Sequence, residues 1–256
     1  MNRVAIVTGA SRGLGLAISR EFLKNGVSVI GVARSHETLA KVHAALSKEF
    51  NNSRFIPCTA DLSITDELDK IVECLDASKL NLCALVNNAA VAEPFARLSD
   101  MDVNEWKWHF DIGVTSVVGL TQKLLPALRQ NKGRVINVTS GASTTALCGL
   151  SAYCAGKAAL NMITQSIGLE EPDVVSLALG PGTVDTDMQT VIRETGKEAM
   201  GTTLHSMFME VYESGGLLPA EGPARDIVKL ALDAPKEISG QYHELNSSEI
   251  AKYLLQ

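Results

Sequence analysis

The chain has 256 residues, of which 46% are hydrophobic and 20% are charged, as in an ordinary globular protein with a sizeable core. Its formal net charge of -6 and its pI near 5.4 argue against a nucleic acid or an anionic membrane as a partner. No apolar run approaches the roughly 20 residues that span a bilayer, and the first residues predict a strand rather than a signal peptide. The five cysteines show no C-x-x-C pair and no metal-ligand spacing. We therefore expect reduced thiols, a cytoplasmic location and no metal site.

Short runs rich in β-branched residues alternate with longer amphipathic runs through most of the chain. The runs that predict strands are Val4–Thr8, Val27–Ala33, Arg54–Thr59, Cys83–Asn87, Arg134–Ser140 and Val174–Leu179. The runs that predict helices are Leu14–Asn25, Ser35–Phe50, Thr65–Asp76, Val103–Gln130 and Ser151–Glu170. This alternation indicates one α/β domain over residues 1–256, a Rossmann-type doubly wound parallel sheet with helices on both faces.

Residues 183–222 show a looser pattern and carry four of the seven methionines. A surface helix that packs its apolar face on the sheet would explain this composition. A short, mobile helical lid over a substrate pocket would explain it equally well, because methionine adapts to irregular apolar surfaces. Both interpretations stay open, and under the second we expect Met188 to contact the substrate.

A glycine-rich loop joins the first predicted strand to the first predicted helix. Gly9, Gly13 and Gly15 give the spacing G-x-x-x-G-x-G. Glycine permits a tight turn and a close approach of the backbone to a pyrophosphate, whose charge is favoured at a helix N-terminus. The loop therefore predicts dinucleotide binding, with Ser11 and Leu14 in the same site.

The second predicted strand ends in the sequence G-V-A-R-S, which contains no carboxylate to hold the ribose hydroxyls of NAD. Arg34 and Ser35 occupy this region, and Arg12 in the glycine loop supplies a second guanidinium. Two arginines that converge on one point suit the dianionic 2′-phosphate of NADP(H). We therefore expect NADP(H) to be the cofactor.

Six ordered motifs resemble those of the short-chain dehydrogenase/reductase family over nearly the full length of the chain. They are T-G-A-S-R-G-L-G from Thr8, A-D-L from Ala60, N-N-A-A from Asn87, a serine at position 140, Y-C-A-G-K from Tyr153 and G-P-G-T-V-D-T from Gly180. The resemblance implies that Asp61 accepts a hydrogen bond from the adenine amine. It implies further cofactor contacts by Leu62, Asn88, Ala89, Pro181, Gly182, Val184 and Thr186.

The pair Tyr153 and Lys157 lies one helical turn apart, and Ser140 precedes the tyrosine by thirteen residues. A cationic Lys157 is expected to favour the phenolate and so to lower the pKa of Tyr153. The phenol then gives its proton to a carbonyl oxygen as hydride arrives at carbon, and Ser140 donates a hydrogen bond to the same oxygen. The resemblance implies that Lys157 also holds the nicotinamide ribose.

One position departs from the family. The family has an asparagine in an F-D-x-N context that completes a proton relay through water, whereas this chain has Gly113 in W-H-F-D-I-G-V-T-S. Glycine cannot donate a hydrogen bond, and it weakens a helix interior. We expect a bent or irregular helix at Gly113, with a water near a main-chain carbonyl.

The segment that begins P-G-T-V-D-T-D-M-Q and the later S-G-Q-Y resemble a narrower branch, that of the benzil reductases and sepiapterin reductases. This implies NADPH-dependent reduction of a ketone in a small dicarbonyl. Glu244 is either the carboxylate that anchors a pterin or a solvated residue at the end of a strand. The methionine-rich segment favours a benzil-like diketone, which would give a hydroxy ketone, over a pterin.

Further alternatives concern turnover and assembly. A sensor of NADP(H) without turnover is disfavoured by the Tyr153 and Lys157 pair. An alcohol dehydrogenase that runs in the oxidative direction stays open, although the expected use of NADP(H) favours reduction. The resemblance implies a homodimer or homotetramer formed through the fourth and fifth helices. The long run Val103–Gln130 is apolar enough for core and interface together, or for core alone.

Overall fold

In the computed structural model, residues 2–50 and 54–254 are described, and their strands form a single seven-stranded sheet. The strands are β1 (Arg3–Thr8), β2 (Ser28–Ala33), β3 (Phe55–Thr59), β4 (Asn81–Asn87), β5 (Arg134–Val138), β6 (Val175–Gly180) and β7 (Gln241–Glu244). They follow the order β3-β2-β1-β4-β5-β6-β7, and every neighbouring pair is parallel.

Helices connect the strands and continue beyond the sixth. They are α1 (Gly13–Lys24), α2 (His36–Glu49), α3 (Leu68–Ser78), α4 (Val103–Phe110), α5 (Ser116–Gln130), α6 (Ser151–Glu170), α7 (Asp187–Thr195), α8 (Lys197–Glu213), α9 (Glu221–Asp233) and α10 (Ser248–Leu254). A π-helical turn over Asp111–Thr115 joins α4 directly to α5.

Two apolar layers cover the two faces of the sheet. One layer contains side chains of α1, α2, α9 and α10, among them the fully buried Ile18, Phe22 and Ile227. The other contains side chains of α3, α5 and α6, among them Ile71 and Leu120. Burial on both faces explains why the central strands are continuous apolar runs rather than alternating ones.

The strand order reverses between β1 and β4, and ligands of doubly wound sheets bind at such a point, beyond the carboxyl ends of the strands. The two strand ends are tied together there. Thr8 Oγ1 accepts from the main-chain N–H of Asn88 at 2.9 Å and of Ala89 at 3.0 Å, and Asn88 Nδ2 donates to the Thr8 carbonyl at 2.9 Å. These bonds fix the glycine loop relative to the segment that follows β4.

The predicted doubly wound fold is confirmed, with the six predicted strands present and their ends shifted by one or two residues. Ser140, which we predicted as the last residue of a strand, lies two residues beyond β5. The single helix predicted over Val103–Gln130 is interrupted by the π-helical turn. Four helices and β7 follow residue 180. The sequence predicted helical structure only within 183–222, where α7 and α8 lie. Strand β7 was not predicted, because it has four residues and no apolar run.

Candidate active site

A cavity of about 920 Å3 lies at the carboxyl ends of the strands. Every residue that the sequence assigned to the site lines it. From the cofactor prediction these are Gly9, Ser11, Arg12, Gly13, Leu14, Gly15, Arg34, Ser35, Asp61, Leu62, Asn88, Ala89, Pro181, Gly182, Val184 and Thr186, and from the catalytic and substrate predictions Ser140, Tyr153, Lys157, Met188 and Glu244. The fold thus brings the whole predicted set together, while the individual roles remain predictions.

The glycine loop has the geometry that a pyrophosphate site requires. Gly9 and Gly13 have φ angles of 69° and 52°, which residues with a Cβ rarely adopt. A Cβ on Gly15 would lie 2.2 Å from the Gly9 carbonyl oxygen, so only glycine fits there. No side chain caps α1, and the first N–H groups of this helix therefore stay available to an anion. These residues fit a dinucleotide.

Two arginines line the cavity. Arg34 follows β2 and is exposed, and Arg12 precedes α1. Arg12 Nη1 lies 3.0 Å from Asp187 Oδ2, in the first turn of α7. This ion pair was not predicted, because no local sequence signal links residues 175 positions apart. Asp61, which also lines the cavity, accepts from the Ser63 main-chain N–H at 2.9 Å and from its hydroxyl at 2.7 Å.

Ser140, Tyr153 and Lys157 lie near one another in the cavity wall. The Ser140 side chain is close enough to the Tyr153 hydroxyl to lower the pKa of the phenol, and its Oγ accepts from the Ala142 N–H at 3.2 Å. Lys157 is 6% exposed, and its Nζ donates to the Val138 carbonyl at 2.7 Å. The same Nζ lies 5.5 Å from the centre of the Tyr153 ring. A serine, a phenol and an ammonium therefore surround the point where a carbonyl oxygen would be protonated.

Burial governs the acidity of this group. It raises the pKa of Tyr153, and the hydrogen bond from Ser140 offsets part of that rise. Burial also lowers the pKa of Lys157 to about 8. The expected lowering of the Tyr153 pKa by Lys157 is not found in the chain alone, because desolvation of the phenolate is the largest cause and raises this pKa, and Lys157 is not among its causes. Tyr153 is consequently protonated at neutral pH, as an acid for reduction must be.

Buried amides hold the strand that leads to Ser140 against the helix that carries Tyr153. Asn137 Nδ2 donates to Thr164 Oγ1 of α6 at 2.7 Å, and Asn137 Oδ1 accepts from Asn87 Nδ2 of β4 at 2.8 Å. Asn161 Nδ2 donates to Ser143 Oγ at 2.8 Å. The bonds of Asn137 form a buried network that fixes geometry, since any shift would leave one of its polar groups unpaired.

Part of the cavity wall is apolar and comes from α7, α8 and the segments packed against them. A small hydrophobic cluster of Ala92, Leu150, Ile192 and Met200, with Leu147, Met188 and Phe208 packed on it, lines or supports this part. Segment 183–222 therefore contributes cavity residues from α7 and from Phe208 of α8, and its role as a lid stays a prediction. Leu147, Leu150, Ile192 and Phe208 were not assigned to the site, because apolar residues carry no signal that separates pocket from core.

Glu244 is the last residue of β7 and pairs with Gly180 of β6. Its carboxylate occupies the space that a side chain at 180 would fill, since a Cβ there would lie 2.5 Å from Oε2. The Tyr242 hydroxyl donates to Oε1, and burial together with this carboxylate raises the pKa of Tyr242. Glu244 is therefore a cavity residue, but one of its oxygens already has a partner.

The prediction of an irregular helix at Gly113 is confirmed by the π-helical turn over Asp111–Thr115. A Cβ built on Gly113 meets no atom within 4 Å, so the glycine leaves open space beside the turn. Such turns occur where one extra residue is inserted into a helix, often at functional sites.

No group of three or more His, Cys, Asp or Glu side chains within residues 2–50 and 54–254 is arranged to hold a metal ion. Over the same residues, no helix is both long enough and apolar enough to cross a bilayer.

A glycine-loop dinucleotide cradle and a Ser-Tyr-Lys group on one doubly wound sheet define an oxidoreductase. The model of the short chain dehydrogenase family matches residues 3–197, and the chain belongs to that family. The predicted resemblance is therefore confirmed. The crystal structure of a short chain dehydrogenase/reductase from Saccharomyces cerevisiae is similar, with a TM-score of 0.91 and 35% identity over 98% of this chain and 99% of that one.

Three curated relatives represent the range of similarity. An uncharacterised oxidoreductase of Schizosaccharomyces pombe is 37% identical over 246 residues, which are 96% of this chain and 97% of the relative. A benzil reductase ((S)-benzoin forming) of Saccharomyces cerevisiae is 32% identical over 262 residues, 98% of each chain. A sepiapterin reductase of Bos taurus is 32% identical over 239 residues, 89% of this chain and 88% of the relative. The narrower branch predicted from the sequence is thus confirmed.

Proposed function

We propose that this protein is an NADP(H)-dependent carbonyl reductase that converts one ketone of a small, benzil-like diketone into a hydroxy ketone. The observation that carries this proposal is that Ser140, Tyr153 and Lys157 line the same cavity as the glycine loop, the two arginines and the apolar side chains of α7 and α8. The similarity to benzil reductases supports the substrate class.

The candidate cofactor-binding residues have the following roles in the proposed reaction. The glycine loop and the N-terminus of α1 bind the pyrophosphate, and Arg12 and Arg34 bind the 2′-phosphate. Lys157 holds the ribose and keeps a positive charge beside the phenol. When bound, the reduced nicotinamide supplies the hydride.

Ser140 and Tyr153 stabilise and protonate the substrate carbonyl oxygen. Ser140 donates to the substrate carbonyl oxygen and so stabilises the charge that develops on it. The Tyr153 phenol gives its proton to that oxygen, which becomes the product hydroxyl, and Tyr153 is left as a phenolate that must be reprotonated. The apolar cluster under α7 and α8 excludes water from the reacting carbon.

Reduction of a pterin side-chain ketone is the second candidate, and Glu244 is the observation that favours it. A carboxylate beside Gly141 could accept from the amino edge of a pterin. The hydrogen bond from Tyr242 weighs against this use, because it occupies one carboxylate oxygen. The apolar side chains that line the same cavity also suit an aryl group better, so the diketone is preferred.

The assembly and location belong to the same proposal. A homodimer or homotetramer through α5 and α6 is supported by exposed apolar side chains on these helices, namely Val118, Met162 and Leu169. A cytoplasmic location is supported by the five cysteines, all of which are free thiols.

A screen of purified protein tests the proposal. Consumption of NADPH is followed with benzil, with aliphatic vicinal diketones and with sepiapterin, and formation of NADPH is followed with simple alcohols plus NADP+. Each assay is repeated with NADH or NAD+. We expect the highest kcat/KM for an aryl diketone with NADPH. Turnover confined to alcohol oxidation, or no turnover with any carbonyl, would contradict the proposal.

A further inference from the structure

A second, much smaller cavity of about 10 Å3 adjoins Tyr153 and Lys157. The rest of its wall is formed by Ala90, Val91, His109, Gly113 and Gly156. About 10–15 Å3 is the smallest such volume that holds one water molecule, and a buried water needs polar partners. Lys157 and His109 supply a donor and an acceptor on this wall.

Two glycines keep this small cavity open. A Cβ on Gly113 would meet no atom within 4 Å, so the space beside it is vacant of protein. A Cβ on Gly156 would lie 3.3 Å from Nε2 of His109, which is closer than ordinary van der Waals contact. A side chain at position 156 would therefore press on the imidazole and fill the space in front of it.

The tautomer of His109 is determined by its surroundings. The imidazole is 4% exposed, and its Nδ1 lies 2.7 Å from the Glu93 carbonyl oxygen. A carbonyl only accepts, so Nδ1 carries the hydrogen and Nε2 of the neutral ring offers a lone pair. Burial lowers the pKa of His109, and the charge of Lys157 lowers it further while Glu93 opposes this. The ring is neutral at neutral pH, and no described residue donates to Nε2.

The ammonium of Lys157 has N–H donors that the Val138 carbonyl does not use. Val138 accepts one of its three N–H groups, and Tyr153 on the same helix is the other titratable group at the small cavity. An unsolvated buried ammonium loses its proton more easily, which would remove the charge that the reaction needs.

We propose that His109 is a positioning residue whose Nε2 accepts a hydrogen bond from one water molecule, which in turn accepts a hydrogen bond from the ammonium of Lys157. The water solvates the ammonium and keeps it charged beside Tyr153. His109 thereby holds a water molecule beside Gly113, the residue that replaces the family's asparagine. This role of His109 rests on the proposed function, in which Tyr153 is the acid and Lys157 supports it.

A purely structural role for His109 would be to hold the segment after β4 through its bond to Glu93. Two variants separate the two roles. His109→Phe removes both the bond to Glu93 and the acceptor for water. Gly156→Ala keeps the imidazole and its bond to Glu93 but fills the water site.

The test measures the titration of Lys157 itself. Protein labelled with 13C at lysine Cε is titrated by NMR, and the Lys157 signal is assigned from the Lys157→Met variant. We expect the pKa of Lys157 to fall by roughly one unit in His109→Phe and in Gly156→Ala, as for the loss of one hydrogen bond to a charged group. Gly222→Ala, the same change on the surface of α9 where a Cβ meets open space, should leave it unchanged. Addition of Gly113→Asn to His109→Phe should restore the value, because an amide oxygen enters the vacant space.

Kinetics give the parallel measurement with benzil and NADPH. The alkaline limb of kcat/KM should move to lower pH in the same two variants and return in the double variant. A Gly156→Ala protein in which Lys157 titrates as in the wild type would overturn the water site and leave His109 as a structural contact. If the wild type reduces no diketone, the proposed function fails, and the NMR titration still decides the role of His109.

Discussion

Arg12 of the glycine loop and Asp187 of α7 form an ion pair, with 3.0 Å between Nη1 and Oδ2. The pair links the glycine loop to α7, which also lines the cavity. Both side chains are mostly exposed, at 73% and 65%, so the pair is weak and screened by salt. Under the proposed function, Asp187 and the 2′-phosphate compete for the same guanidinium.

Removal of the competing carboxylate should therefore strengthen NADPH binding. Asp187→Asn is expected to lower the Kd for NADPH by up to about fivefold, as for the loss of an exposed ion pair. The Kd for NADH should not change, and the effect should disappear at high salt. Asp185→Asn, which removes a nearby charge outside the pair, is the control in a fluorescence titration. Weaker NADPH binding by Asp187→Asn would contradict the competition.

Arg34 gives a sharper test of cofactor choice. Arg34→Asp removes a charge-assisted contact worth about 1.5–3 kcal/mol and introduces repulsion, so kcat/KM for NADPH should fall at least tenfold. Efficiency with NADH should fall far less or rise. Arg225→Asp on the surface of α9 is the matched control, and initial rates with both cofactors are compared. Equal losses with NADPH and NADH would show that Arg34 does not bind the 2′-phosphate.

Tyr153→Phe removes the proton donor and keeps the ring. We expect kcat to fall by about 100-fold or more, while the Kd for NADPH changes little. Tyr212→Phe is the control, because that tyrosine lies on α8 with its ring against Arg193 and far from any proton transfer. Near-normal turnover of Tyr153→Phe would show that this tyrosine only supports the structure.

Much of this site could be predicted because its signals are local. The glycine spacing, the Tyr153 and Lys157 pair and the alternation of strands and helices each lie within a short stretch of sequence. Residues that act through the fold were not predicted. His109 and Gly156 are 47 positions apart, and only the packing of α4 on α6 brings Nε2 of the histidine to the space that Gly156 leaves. The same applies to the acidity of Tyr153, because burial depends on the whole fold.

The buried ammonium of Lys157 should cost stability, and its pH dependence has a defined sign. Its pKa is about 8 in the folded chain and 10.5 when unfolded, so unfolding takes up a proton between these values. The free energy of unfolding contributed by this group therefore rises as pH increases from about 8 to 10.5, and the full penalty applies below 8. Lys157→Met should be more stable than the wild type at pH 7, by at most about 3 kcal/mol.

Thermal unfolding of both proteins across this pH range checks the prediction. The stability advantage of Lys157→Met should shrink steadily above pH 8, whereas Lys48→Met on the exposed side of α2 should show no such trend. A variant that is less stable than the wild type at every pH would show that the bond to Val138 outweighs the burial of the charge.

Glu244 distinguishes the two substrate classes. If the carboxylate anchors a pterin, Glu244→Gln should cost that substrate about 1.5–3 kcal/mol of transition-state binding, which is a loss of at least tenfold in kcat/KM. Because Tyr242 already donates to this carboxylate and an apolar cluster lines the same cavity, we expect the wild type to prefer benzil over sepiapterin. Glu244→Gln should then leave benzil turnover within about twofold of the wild type, since glutamine has the same shape and can still accept from Tyr242.

Tyr242→Phe is the companion variant, because it frees the carboxylate and should raise activity only toward a substrate that donates to it. A wild type that prefers sepiapterin, together with a Glu244→Gln protein that loses this preference, would reverse the ranking of the two substrates.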